Sequence, residues 1–233
     1  MAAQAGRDRA LRAFRRGSAV HLCGDQHIGS TVQYGIEKWN DAAFALCSPA
    51  LSNLFPRRWF PARPGSNPLP YSPRNTGQYL DGFGNKITVH AVFNPRQTDP
   101  KPNPLMDRSP GIALVEFERA TREIALSVWP RRQDPTDPKI IPVSGWPVKI
   151  HQLDNGWSSA EWVLPAVQAK GLRDFCVQVI GEPGNEILYT LRVAGDSFTP
   201  PVHREGSYTV RVFDPDGKFD EKRRAQRAKP RGG

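Results

Sequence analysis

The run His21-Leu22-Cys23-Gly24-Asp25-Gln26-His27 places a carboxylate and an imidazole two residues apart on a glycine turn. That pairing suits cation coordination, with Asp25 offering a hard anionic oxygen and His27 a neutral ring nitrogen. Both side chains are short, and Gly24 admits a close backbone approach to an ion. Taken alone, the same residues also describe an ordinary structural turn after a strand. His21 and Cys23 share one face of that strand and read as core. His90 faces the same way as Thr88 and reads as a partly buried structural histidine. Arg57 and Arg58, beside Trp59, fit either a bidentate phosphate clamp or an anchor for their own loop beneath the tryptophan.

These residues need elements to hold them. Ala10, Leu11, Ala13 and Phe14 recur at helical spacing, which predicts a helix over 6–16 with arginines on its other face. Gly17 stands at its C-cap, and Ser18–Cys23 follows as a predicted buried strand ending at Gly24. Short strands are expected at Thr31–Tyr34 and Ala42–Cys47, a longer one at Lys86–Phe93, and a hairpin over Gly111–Trp129. Beyond Pro147, alternation at Phe175, Val177 and Val179, then at Ile187, Tyr189, Leu191 and Val193, predicts a second hairpin. Tyr208, Val210 and Val212 continue the period of two.

The chain has 233 residues, of which 38% are hydrophobic and 24% charged, so collagen-like, coiled-coil and fully disordered classes are excluded. No apolar run is long enough to span a bilayer. Proline is abundant, 23 in all with 17 of these within residues 49–147, so long helices are not expected outside the gaps between prolines. The fold class expected is α+β, mainly β. Residues 1–151 form one part and 152–216 a small antiparallel β-sandwich-like appendage, with 217–233 as a basic disordered tail. Trp146, Trp157 and Trp162 read as sealing the seam between the two parts, with a carbohydrate platform as the alternative.

The formal net charge is +9, but its distribution matters more than its size. Residues 1–16 carry a net +4 and residues 217–233 a net +5, leaving a neutral body of 20 positive and 20 negative groups. Specific nucleic-acid binding is therefore not expected, because no aromatic-plus-basic motif accompanies the charge. Cys23, Cys47 and Cys176 contain no CxxC pair, which argues against a disulfide scaffold or a zinc ribbon. Cys176 alternates with core residues and reads as inert. The N-terminus lacks the apolar stretch of a secretory signal.

The segments Ala19-Val20-His21-Leu22, Gly24-Asp25-Gln26-His27, Gln33-Tyr34-Gly35 and Phe55-Pro56-Arg57-Arg58-Trp59 resemble the C-terminal part of PhoD-like alkaline phosphatases. The resemblance continues through Leu80-Asp81-Gly82-Phe83-Gly84-Asn85 and Trp129-Pro130-Arg131, spanning roughly residues 7–150. These enzymes belong to the calcineurin-like metallophosphoesterases, whose final ligand motif in this branch is Gly-Asp-x-His. The resemblance thus implies metal ligation by Asp25 and His27, as part of an α/β sheet layer. It further implies a dinuclear centre of iron and calcium that cleaves phosphomonoesters and phosphodiesters, and export of the full-length enzyme. Two cations would bind the phosphate oxygens and generate hydroxide for in-line attack.

The family's earlier ligand segments are not found before Asp25. The expectation is therefore a C-terminal portion of a larger enzyme, completed by a missing N-terminal half. Such a portion exposes an unpaired sheet edge and an apolar face. Two other classes compete with it: a non-catalytic β-rich binding module docking through Trp59 and its neighbours, and a polyanion-binding protein acting through its basic ends.

Overall fold

The longest proline-free stretch precedes Pro49, and α1 (Ala2–Arg16) within it is the one α-helix among the described residues. The computed structural model describes residues 2–66, 74–95, 108–169, 171–172, 174–217 and 219–232. Pro68, Pro70, Pro73, Pro100, Pro102 and Pro104, counted in the proline-rich stretch, and Lys218 of the basic tail lie outside them.

The helix ends in crossed hydrogen bonds, Ala19 N–H to the Phe14 carbonyl and Ser18 N–H to that of Arg15. Ser18, with φ of 48°, and not Gly17, takes the left-handed position of this cap. The arginines do more than face solvent. Arg7 donates to the Gly35 carbonyl, Arg12 pairs with Glu37 and Arg15 donates to the Asp41 carbonyl, tying α1 to the 35–41 loop.

Five strands form the first sheet: β1 (His21–Cys23), β2 (Gly29–Tyr34), β3 (Phe44–Cys47), β4 (Gly77–Leu80) and β5 (Lys86–Phe93). Their order is β1-β3-β2-β5-β4, with β1 parallel to β3 and the other pairings antiparallel. The predicted buried strand over Ser18–Cys23 is thus shorter and lies at a sheet edge, where Leu22 is 52% exposed. His21 and Cys23, expected in the core, are only half-buried, because a single helix covers their side of the edge.

Strands β6 (Gly111–Phe117), β7 (Glu123–Pro130) and β8 (Val148–His151) make a second antiparallel sheet. The hairpin predicted over 111–129 is β6–β7. Phe44, Leu46 and Ala91 of the first sheet pack with Ile124, Leu126, Val128 and Ile150 of the second. Burying each of the larger side chains contributes about 1.5–3 kcal/mol. Trp146 belongs to this core, its Nε1–H donating to Thr31 Oγ1 at 2.8 Å.

The remaining strands are β9 (Trp162–Val163), β10 (Val167–Gln168), β11 (Cys176–Gly181), β12 (Glu186–Arg192), β13 (Ser197–Phe198), β14 (Pro201–Val202), β15 (Ser207–Phe213), β16 (Asp220–Arg227) and β17 (Lys229–Pro230). They form three antiparallel sheets, ordered β12-β11-β15-β16, β14-β9-β17 and β10-β13. Their common core contains Trp157, Leu164, Phe175, Val177, Val179, Tyr189, Leu191, Val202, Val210 and Val212. The predicted alternation holds except at Ile187, which a β-bulge opposite Val179/Ile180 turns outward.

The C-terminal segment corrects an expectation, for residues 220–227 and 229–230 are strands and not a disordered tail. Their side chains are mostly exposed. Backbone pairing with β15 and packing of Phe219 and Ala228 against the second core hold the segment. Among the three tryptophans only Trp157 closes the seam, its Nε1–H donating to the Arg15 carbonyl at 2.7 Å. Trp162 lies in β9, against the second core.

Candidate functional site

Parallel pairing of β1 with β3 brings both strands to one sheet end, and Ser48 N–H donates to the Cys23 carbonyl at 2.8 Å there. The chain then returns into β2 through residues 24–28. Within this turn Asp25 and His27 adopt left-handed φ values of 60° and 55°, which non-glycine residues rarely take. Gly24 has no such φ, and a Cβ placed on it would meet nothing within 4 Å. The turn therefore does not depend on glycine at this position, and its left-handed positions fall on Asp25 and His27.

The Asp25 side chain is fully exposed, and that of His27 is 31% exposed. His27 Nδ1 lies 2.9 Å from the Phe55 carbonyl, which can only accept, so Nδ1 carries the hydrogen. In the neutral ring this leaves the Nε2 lone pair unused, 3.6 Å from Asp25 Oδ1. The His27 carbonyl is fixed as well. It accepts from the Arg57 backbone N–H at 3.2 Å and from Asn53 Nδ2 at 2.9 Å. Asn53 is buried and also donates to the Arg108 carbonyl, while its Oδ1 has no partner among the described residues.

Asp25 and His27 are thus brought together at the surface as their spacing predicts. Arg57 reaches the turn through its backbone, with an exposed side chain, and Arg58 is half-buried. Trp59 anchors the loop: its N–H donates to Asn94 Oδ1, its indole to the Asn75 carbonyl, and its ring meets Tyr79 edge-on. Phe55 and Asn53, which order the turn, were not singled out from the sequence. A backbone carbonyl 28 residues away leaves no signal in spacing, and only the Asn in a proline-flanked loop hinted at a side-chain brace.

The donor chemistry of the pair suits one side of a cation's shell. A dinuclear centre needs about seven protein ligands. Among the described residues no group of three or more His, Cys, Asp or Glu could hold a metal ion. The residues present therefore do not make up such a centre by themselves.

His90 packs at 4.8 Å against Phe44 in the first core, and burial lowers its pKa to about 4. His21 stacks on Phe14 of α1, with Nδ1 3.4 Å from the Tyr34 hydroxyl. Cys176 is buried, and that burial raises its thiol pKa.

A recess of about 430 Å³ lies away from the turn, between α1 and the second β unit, with Arg15, Asp41, Trp157 and His203 in its walls. Its charges are largely satisfied. Asp41 accepts from the backbone of Ile36, Glu37 and Lys38, Arg15 pairs with Asp41 and Glu37, and His203 Nε2–H donates to the Gly156 carbonyl. Comparison with protein-family models, curated proteins and solved structures finds no match for this chain.

Proposed function

We propose that this chain is the C-terminal portion of a PhoD-like metal-dependent phosphatase, contributing Asp25 and His27 to a cation site whose remaining donors lie outside the described residues. The observation that carries this reading is the His27 ring, locked through Nδ1 with Nε2 turned toward the Asp25 carboxylate. A carbonyl that fixes the second nitrogen is the usual companion of a metal-ligating imidazole. The strained backbone of both residues supports the same reading, since such conformations cluster where a site requires them. In the assembled enzyme His27 would present its lone pair and Asp25 an anionic oxygen. The substrate class is a phosphomonoester or phosphodiester.

Titration of the intact chain with ferrous iron, and separately with calcium, tests this directly by NMR of the His27 ring. Iron is expected to perturb those resonances with a dissociation constant of roughly 0.1–1 mM, as for a ligand-poor site. The effect should weaken in Asp25→Ala and vanish in His27→Ala, with no turnover of an aryl phosphate by the chain alone. Unchanged His27 resonances at several millimolar iron would overturn the assignment of the pair as ligands. Robust turnover by the isolated chain would overturn its incompleteness.

A second reading, a non-catalytic β-rich docking module, is favoured by one observation. The loop beside the turn exposes Leu51, Leu54, Phe55 and Phe60. For a module of that kind, Phe55→Ser would remove partner binding while metals left His27 unaffected.

A further inference from the structure

The face of the first sheet beneath α1 carries two cysteines at the end of β1 and β3. In the parallel register Cys23 stands directly opposite Cys47. Adjacent strands run about 4.8 Å apart, which falls inside the span of about 4.4–6.8 Å between the Cα atoms of a disulfide. Residues directly opposite each other in a parallel pair share one face of the sheet. Cys23 Sγ reaches across to the Leu46 carbonyl at 3.7 Å, and Cys47 Sγ lies 3.7 Å from the Ser48 carbonyl.

Access is asymmetric, since Cys23 is half-exposed whereas Cys47 is buried. β1 is only three residues long and has no neighbour on its outer side, so it can adjust to the geometry that a bond asks. Among the described residues no third metal donor joins the two sulfurs. The arrangement is therefore that of a dithiol and not of a metal site.

We propose that Cys23 and Cys47 form a reversible dithiol–disulfide pair whose oxidant is a low-molecular-weight disulfide. The Cys23 sulfur, its proton passed to solvent, attacks one sulfur of the oxidant RSSR. The oxidant's S–S bond breaks, and the first thiol leaves as RSH. The Cys47 sulfur, also giving up its proton, then attacks the Cys23 sulfur of the mixed disulfide and displaces the second RSH. Two protein thiols lose two electrons, the oxidant gains them, and two small thiols are released. The bond pins edge strand β1 to β3 at the residue before Gly24, and so fixes the base of the Asp25–His27 turn. The pair stands whether or not those residues bind a metal.

The test exposes the reduced full chain to excess oxidised glutathione, followed by intact mass and peptide mapping. The expected product has lost two hydrogen atoms and contains a Cys23–Cys47 linked peptide, with Cys176 unmodified. Cys47→Ser should stop at one glutathione on Cys23, and Cys176→Ser should behave as the parent. A measurement on the parent alone avoids any folding defect of the variants. One equivalent of phenylarsine oxide, which needs two adjacent sulfurs, should protect Cys23 and Cys47 together from alkylation. A persistent glutathione adduct on Cys23 in the parent, a bond involving Cys176, or independent alkylation of the two thiols in the presence of the arsenical would overturn the pair.

Discussion

His27 and His90 differ in what surrounds their rings. His27 has one nitrogen bound to a carbonyl and the other beside a carboxylate in solvent, whereas Nε2 of His90 is buried without a partner among the described residues. The i, i+2 spacing of Asp25 and His27 was legible in the sequence, and so was the structural character of His90. The hydrogen bonds that orient His27 were not, because they run to backbone atoms of a loop with no periodic pattern.

Burial holds His90 at a pKa of about 4 against an ordinary 6.5. Between those values the unfolded chain takes up a proton that the folded chain refuses, so stability is fully present above pH 6.5 and falls on acidification. His203, lowered mainly by its burial and further by Arg15, acts in the same direction. Urea unfolding should show a His90 contribution of about 2 kcal/mol lost between pH 7.5 and pH 5. His90→Phe, which still packs on Phe44, should lose correspondingly less. An identical pH dependence in the variant would contradict this account.

At the scale of elements, strands with alternating apolar residues were readable. β5, β7, β11 and β15 follow their hydrophobic period, and β12 does so except at Ile187. β6 instead turns Ile112, Leu114 and Phe117 outward and packs Ala113 and Val115 on the first core. β16 could not be read this way, because Asp-Glu-Lys-Arg-Arg-Ala-Gln-Arg has no apolar face. What holds it is pairing with β15, the two-point contact of Arg211 with Asp220, and the flanking Phe219 and Ala228. Each net backbone hydrogen bond contributes about 0.5–1.5 kcal/mol, so the strand is worth several together. A chain ended after Gly217 should therefore lose at least about 2 kcal/mol and melt roughly 4–8 °C lower. An unchanged melting temperature would mean that the segment is dispensable to the fold.

The extent of β1 was misjudged for a related reason. Residues 18–23 carry the composition of an interior strand, but composition does not reveal whether a neighbour exists on the outer side. That edge and the adjoining loop expose apolar side chains, with Phe55 78% and Leu54 58% exposed.

Over the whole molecule, two hydrophobic cores form, one from residues 44–150 and one from residues 157–212. The change of texture after Pro147 falls near the passage from one core to the other. Their junction was not legible in the sequence, because it is built from single long-range contacts. Gln33 donates to the Asp154 carbonyl, Asn155 accepts from Phe44 N–H, and Asp174 binds Arg122 and Arg192 together. With an apolar loop left uncovered, the isolated chain should self-associate as concentration rises, opposed by its charge of +9. Sedimentation at low and high salt should show larger species when the charge is screened, and Phe55→Ser should reduce them. A single monomeric species under every condition would contradict this.

The anchoring of α1 bears on how the molecule assembles. Arg15 bonds Trp157 across 142 positions, and Arg16 bonds Glu186 across 170. These contacts of α1 thus form only once residues well over a hundred positions downstream are in place. Such distant closure is slow relative to local hairpins. Contacts of the helix to the 35–41 loop and to His21 are close in sequence, whereas those to Trp157 and Glu186 close only when distant residues are in place.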